Sequence, residues 1–400
     1  MPEFPRHADQ WYVGGLLIMA ASLPLSRAAL SLSYGILLLI HLRYFPHWWK
    51  RSLQTGWWYW GMGMLVLFGI GMFHSQDQPS GWDLIRAWLP LGLLPWMMAV
   101  GPRLSNKQLT AIAHTFLGAC GLISLLALLL AAVENGTTGS WSLESFTYTQ
   151  LTERVDHHPT FLGLMLNVSA LLAIWLQNQL PRRPYWLWLV AVLGMHMLLG
   201  ARMQQLLFGG IVLVGGGIWS RNRKEILRSV LIGVGVLAVL VGALLSVPSS
   251  RERLNQVWSP KTITNMQELP YDGVAVRKYL WRVAWEVCLE APLLGHGTGD
   301  AQLALQPAFE RDGFPRPTMN AHQQWLDLGL KLGFLGMLAL TIGWGWGIWI
   351  CWKNKTPIGI AIFLLLALSG TTEVLLTRQW GIATVALWGA WAISLSDQNQ

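Results

Sequence analysis

Several arginines stand where a cation is costly. Arg27, Arg86, Arg154, Arg202 and Arg378 each lie in a short polar stretch between apolar runs, and none of these stretches holds a lysine. Arg86 and Arg202 fall in or within about a turn of apolar helix, in "WDLIRAWLPLG" and "MLLGARMQQLLFGG". An arginine at a helix centre costs roughly 2.5–3.5 kcal/mol on insertion scales, and less near an interface. Arginine differs from lysine in chemistry as well. A guanidinium presents paired donors that match phosphate oxygens, and it does not lose its charge. Several such groups at one depth would form a receptor for a pyrophosphate near a membrane surface. Plainer readings stay open for most of them. Arg86 has Asp83 one turn earlier on the same face, Arg378 has Glu373, Arg154 has Glu153 and Asp156, and Arg27 can be an interfacial anchor. Arg202 has no acid nearby in sequence.

A histidine occupies a comparable position. In "TMNAHQQWLDLGLKLGFLG" (318–336), His322 sits at the lip of an apolar helix. An imidazole titrates near neutrality and suits a general base. The alternative is a ring that caps the helix through a local hydrogen bond. "VDHH" at 155–158 puts two histidines side by side, which is not metal-ligand spacing on a helix or turn. The chain lacks HExxH, a P-loop, GxSxG and a DxD-type acidic pair beside these arginines. No metal and no cofactor is expected.

The elements that must position these residues are apolar. The chain is 53% hydrophobic and only 12% charged, against about a quarter charged in an average soluble domain. Several runs approach the roughly 20 residues that cross a bilayer core. Many of the 25 tryptophans sit at the ends of such runs, as interfacial belts require. The runs are too long for barrel strands. The expected fold is all-α: a polytopic integral membrane protein, one transmembrane domain over 1–400. About twelve spans are expected, at 11–25, 28–43, 57–73, 83–100, 109–133, 159–178, 184–199, 203–219, 228–247, 325–351, 357–371 and 379–395. The N-terminus resembles a signal peptide in outline but reads as a first helix that stays. Cys120, Cys288 and Cys351 are scattered and suggest no disulfide framework. "HLRYFPHWWKRSLQTG", "GPRLSNKQ", "NQLPRRPY", "SRNRKEILRS" and "CWKNKTP" carry most of the short-loop positive charge. Alternation puts them, with both termini, on the cytoplasmic side. The net charge of +8 is therefore largely a topology signal, not a nucleic-acid footprint. The arginines and His322 face the other side, the periplasm of a bacterium.

One large loop, 248–324, lies between the ninth and tenth spans. Within it "DGVAVRKYLWRVAWEVCLEAPLLGHG" reads as a helix ending at Pro292, with Val276, Leu280, Val283 and Val287 on one stripe and Arg277, Trp281 and Ala284 on another. "LLGHGTGD" is a glycine-rich turn that follows a helix, so it is not a dinucleotide fingerprint. The loop is expected to be a helical cap on the membrane domain.

These stretches resemble the periplasmic loop signature of bacterial O-antigen ligases. The matching positions are Arg277, Trp281, Pro292, Gly295, Gly297, His322, Gly333 and Gly336, with Arg202 as a looser match. His322 is followed by Gln323, where the family more often has Asn or Ser. The motif covers about 60 residues, while span count and loop placement agree over most of the chain. The resemblance implies an inner-membrane glycosyltransferase that moves a glycan from undecaprenyl pyrophosphate to lipid A–core. It implies catalytic roles for His322, Arg277 and Arg202. Trp281, Arg154, Arg86, Arg27 and Arg378 are the expected substrate-binding residues. Such a donor carries its own activation, so no nucleotide site is needed. No glycosidase-type carboxylate nucleophile is apparent, so direct displacement with inversion is expected. The rival readings are an O-antigen polymerase, a protein O-oligosaccharyltransferase and a transporter of an anionic lipid-linked substrate. A transporter would show paired halves or broken helices, and neither is legible. The sequence carries no signal of oligomeric state.

Overall fold

A computed structural model describes residues 9–47, 56–219, parts of 227–242, and 273–399. The described residues form helices and no strand. In chain order the helices are α1 (Gln10–Leu25), α2 (Arg27–His41), α3 (Trp58–Met72), α4 (Gln78–Val100), α5 (Asn106–Thr138), α6 (Tyr148–Glu153), α7 (Pro159–Gln179), α8 (Trp186–Leu199), α9 (Arg202–Trp219), α10 (Val274–Glu290), α11 (Ala301–Arg311), α12 (Gln324–Lys353), α13 (Pro357–Gly370) and α14 (Gln379–Ser396). Four of them, α4, α5, α7 and α12, are long and apolar enough to cross a membrane, while α1, α3, α8 and α13 are apolar but shorter. The expected span at 228–247 falls largely outside the described residues, as does 248–272 of the long loop.

Helix ends follow local chemistry. Ser26 ends α1 and caps α2, its hydroxyl accepting the Ala29 N–H at 3.3 Å. Asp77 caps α4 through the Ser80 N–H at 3.0 Å. Ser105 and Gln108 form a reciprocal capping box on α5. Such caps satisfy N–H groups that a helix cannot satisfy itself.

Helices α7 and α14 are buried on nearly every face, which marks them as the centre of the bundle. Helix α14 packs on α4, α13 and α1, and α7 packs on α8, α9, α13 and α5. Outward, Leu122, Leu125 and Leu129 of α5 and Leu335, Leu338 and Ile342 of α12 are exposed. An apolar strip of that extent is the surface a lipid tail covers. The tryptophans divide between two roles. Trp11, Trp186 and Trp352 are exposed near helix ends. Trp57, Trp60, Trp88 and Trp391 are instead core residues, and their indole N–H groups donate to the carbonyls of Gly343, Ala339, Leu376 and Leu109. The belt reading from sequence therefore holds for only part of the set. A buried indole needs an acceptor, and unlike helix ends, such acceptors leave no mark in sequence.

The stripe expected on α10 is present: Val276, Leu280, Val283 and Val287 are all buried. They share a cluster with Leu305 and Phe309 of α11, Phe314, and Leu330 of α12. The cap thus has its own apolar core, closed against the first turns of α12.

Helix α12 is broken, which its continuous apolar sequence does not reveal. Gly333 has φ 63° and ψ −160°, dividing α12 into a short upper segment and a long lower one. A broken helix inside a bundle must have its freed backbone groups satisfied by protein. The turn after α10 does this. The His296 N–H donates to Leu330 O at 2.8 Å, the Gly297 N–H to Lys331 O at 3.2 Å, and the Phe334 N–H to Pro292 O at 2.7 Å. Gly295 and Gly333 meet backbone directly. A Cβ on Gly333 would lie 2.5 Å from the Leu293 carbonyl, and one on Gly295 would lie 2.5 Å from Leu332 N.

Candidate functional site

The loops gather at two ends of the bundle. At one, Gln398 bonds Leu104 O and Tyr44 bonds Asp9. At the other lie the arginines and His322. Asp300 of the "GTGD" turn ties the cap to the α3–α4 connection there. Its carboxylate accepts from Ser75 Oγ at 3.0 Å, Gln76 N at 2.7 Å and Asp77 N at 2.7 Å. Thr298 Oγ1 donates to Phe68 O at 2.6 Å. The cap is therefore bonded to α12 on one side and to α3–α4 on the other.

His322 stands at the upper end of broken α12. Its backbone is left-handed, with φ 46°, a conformation uncommon outside glycine and held only where surroundings enforce it. Two contacts enforce it here. The His322 N–H donates to Asn320 Oδ1 at 2.9 Å, and Trp281 Nε1 of α10 donates to His322 O at 3.4 Å. The side chain is 26% exposed, and Nδ1 lies 3.5 Å from Glu373 Oε1. Nδ1 itself is buried, with no hydrogen bond of ordinary geometry. At that separation the two groups form an ion contact at the outer limit of a hydrogen bond.

Glu373 belongs to the connection between α13 and α14. The connection is held in place: Gln324 Oε1 accepts the Leu376 N–H at 2.7 Å, and Trp88 Nε1 donates to Leu376 O at 2.6 Å. The Glu373 side chain is 7% exposed. Sequence reasoning took Glu373 only as a partner for Arg378. The structure gives it to His322 instead, and no ion pair reaches exposed Arg378 among the described residues. The one available signal was a lone acid between an apolar helix and "VLL".

The other expected residues divide by what they touch. Arg277 lies one turn before Trp281 on α10 and is half-buried. Arg202 opens α9 after Gly200, whose φ is 58°. Two residues on, Gln204 donates to Ser369 Oγ at 3.2 Å and accepts from Asn167 Nδ2 at 2.9 Å. Asn167 Oδ1 meets His196 Nε2 at 3.0 Å. This buried polar chain fixes the start of α9 against α7, α8 and the end of α13, four residues before Glu373. Arg154 is bound to Glu134 at 2.6 Å and to the Ser145 and Gln150 carbonyls, not to Glu153 or Asp156. It closes the 134–153 segment on itself. Arg27 forms a two-pronged pair with Asp156, at 2.9 and 2.7 Å, and Gln379 Nε2 donates to the Arg27 carbonyl at 3.2 Å. Arg27 and Arg378 therefore share one rim. Arg86 pairs with Asp83 at 2.5 Å on an exposed face. Of the two neighbouring histidines, His157 Nε2 donates to Pro24 O and the ring stacks on Trp380, while His158 caps α7. Burial holds the His157 ring below its ordinary titration range.

The class that fold and site define is an all-helical protein with membrane-crossing helices, whose polar end carries a histidine–carboxylate pair beneath a helical cap. Residues 187–341 match the family model described as O-antigen ligase. The matched stretch includes Arg202, Arg277, Trp281 and His322, while Glu373 lies beyond it. No curated protein matches the chain. The family is one of glycosyltransferase-like enzymes of O-antigen processing that draw on a lipid-linked glycan donor at a membrane.

Proposed function

We propose that the protein is an inverting glycosyltransferase of the bacterial inner membrane. It transfers O-antigen polysaccharide from undecaprenyl pyrophosphate to a sugar of lipid A–core in the periplasmic leaflet. Both termini are cytoplasmic and the His322 end faces the periplasm, as the loop charges require. The observation that carries this reading is His322: an imidazole in a strained backbone conformation, partly exposed, beside a buried carboxylate and beneath the cap.

In this reading His322 takes the proton from the acceptor hydroxyl as its oxygen attacks the anomeric carbon. The anomeric C–O bond to the pyrophosphate breaks on the opposite face, and the leaving oxygen keeps the electron pair. Charge therefore grows on the pyrophosphate, where Arg277 and Arg202 supply preorganised cationic donors. One such donor is worth about 3 kcal/mol, or about two to three orders of magnitude in rate. The donor's own glycosyl–pyrophosphate linkage, the bond that breaks, provides the driving force, so the reaction runs without ATP and without a required metal.

The test is reconstitution in liposomes with undecaprenyl-pyrophosphate glycan and lipid A–core, without nucleotide and with chelator. A glycan ladder on lipid A–core, lost in His322→Ala, supports the proposal. Lengthening of glycan on the undecaprenyl carrier would make the protein a polymerase. Product only after divalent metal is restored would overturn the arginine account of the leaving group.

A further inference from the structure

We propose that the 134–153 segment is a binding platform for the donor's glycan, with Trp141 as the contact ring and an uncharged sugar unit as its ligand. This rests on the reading of the protein as a transferase of a lipid-linked glycan.

Trp141 is 70% exposed. An indole left in water forgoes the free energy its burial would contribute, yet the chain around it is built to keep it outside. Asn135, buried near the end of α5, accepts the Ser142 N–H at 3.3 Å and donates to Ser145 Oγ at 2.6 Å. Ser145 Oγ donates in turn to Ser142 O at 2.6 Å, and Ser142 Oγ accepts the Glu144 N–H at 3.1 Å. Arg154 closes the far side on Glu134 and the Ser145 carbonyl. Phe146 packs against the apolar core of the bundle, and its ring lies within 10° of parallel to the Trp141 indole, with centroids 6.4 Å apart. The indole is therefore flanked from within and open outward, on a loop held in one shape before any ligand arrives. Such preorganisation lowers the cost of binding.

Reach, charge and position favour a sugar over the bilayer as the occupant. Helix α5 has 33 residues, about 50 Å at the rise of an α-helix, against a bilayer core of about 30 Å. Its apolar run ends at Val133, and the segment that follows is polar. That segment, 134–153, holds Glu134, Glu144 and Glu153 and neither lysine nor arginine, the reverse of the cationic faces that settle on lipid headgroups. It also holds eight serines and threonines. An aromatic face is negative and attracts the C–H bonds that cover one side of a pyranose, while short hydroxyl side chains supply adaptable hydrogen bonds beside it. The acidic side chains select an uncharged sugar over an anionic one. Tyr148 of the same segment rests on the turn before Arg202: a Cβ on Gly200 would lie 3.8 Å from its ring. A glycan whose pyrophosphate is held at Arg202 thus starts beside this platform.

The test compares two donors in the reconstituted assay, undecaprenyl-pyrophosphate carrying one uncharged repeat unit and the same carrier with many. Trp141→Ala should raise KM for the long donor by about threefold to tenfold, the loss of one aromatic contact, with kcat unchanged and KM for the short donor unchanged. Trp141→Tyr should keep most of the affinity. Melting should be that of the wild type, since the ring is exposed. Saturation-transfer NMR on the free polysaccharide, with protein in detergent, reads the same contact without turnover: its signal should fall in Trp141→Ala. The proposal fails if that signal is unchanged or if KM for the long donor does not move. It also fails if both donors lose equally and the loss varies with lipid composition, which would make Trp141 a bilayer anchor. Polysaccharide binding that depends on Trp141 in a protein that transfers neither donor would uphold the platform and overturn the transferase reading instead.

Discussion

Gly333→Ala tests whether the break in α12 holds the site together. The perturbation adds one methyl group. At φ 63° and ψ −160° the backbone lies in a region essentially reserved for glycine, and a side chain there costs about 1–3 kcal/mol. The added Cβ would also lie 2.5 Å from the carbonyl carbon and oxygen of Leu293 and 2.7 Å from Pro292 O. These are backbone atoms and cannot rotate away. Relief requires the 292–297 turn to withdraw from α12. That strains the bonds Phe334 N–Pro292 O, His296 N–Leu330 O and Gly297 N–Lys331 O. At about 0.5–1.5 kcal/mol each, losing them adds roughly 2–4 kcal/mol. The combined penalty is about 3–7 kcal/mol, concentrated within three turns of His322. The control is Gly345→Ala on the same helix, where a Cβ meets nothing within 4 Å. The assays are thermal melting in detergent, proteolysis of the 292–300 turn and transferase rate in liposomes. Gly333→Ala should melt earlier, be cut faster at the turn and lose at least about 100-fold in rate, because small misplacements of reacting groups are that costly. Gly345→Ala should match wild type or melt slightly higher. If Gly333→Ala matched its control in all three assays, the turn would not be what positions the upper segment.

Other outcomes follow from the same geometry. Arg277→Lys should be nearly as inactive as Arg277→Ala if paired phosphate contacts matter, since an ammonium cannot reproduce the guanidinium fork; donor turnover would measure this. Lys331→Met alone should destabilise the protein by about 3–5 kcal/mol, because it leaves Asp327 buried without its 2.5 Å partner. The double change Asp327→Leu with Lys331→Met should restore most of that in the same melting assay. Glu373 titrates below the ordinary glutamate range when folded. It therefore contributes stability above that range and loses it as pH falls through the lowered value, so Glu373→Gln should flatten the melting curve's fall between about pH 5 and pH 3.

What could be read from the sequence was mostly local. The ends of α7, α12 and α14 follow apolar periodicity and caps, so sequence reading located them to within a few residues. The buried stripe of α10 follows from spacing, Arg202 and His322 stand out where polarity interrupts apolar runs, and Arg277 stands out through helical spacing and the loop's family resemblance. Pairing across the bundle was not legible. Arg154 meets Glu134, twenty positions away, because α5 extends beyond the membrane-length run and turns its last acid back. Glu373 meets His322 through the packing of the α13–α14 connection on Gln324. The break at Gly333 was hidden because leucines and glycines on both sides read as one continuous helix. What betrays it is a turn more than thirty positions upstream bonding into it.

That break also has a mechanical consequence. The upper segment of α12 is joined to the lower one through a single non-helical residue, but to the cap through two backbone bonds and to α13–α14 through Gln324. Long transmembrane helices answer a change in bilayer thickness by tilting. Tilt of the lower segment can be absorbed at Gly333 before it reaches His322. The imidazole is thereby insulated from the bilayer's own fluctuations, and turnover should vary little as acyl chains are lengthened or shortened, even where the spans themselves must lean to fit.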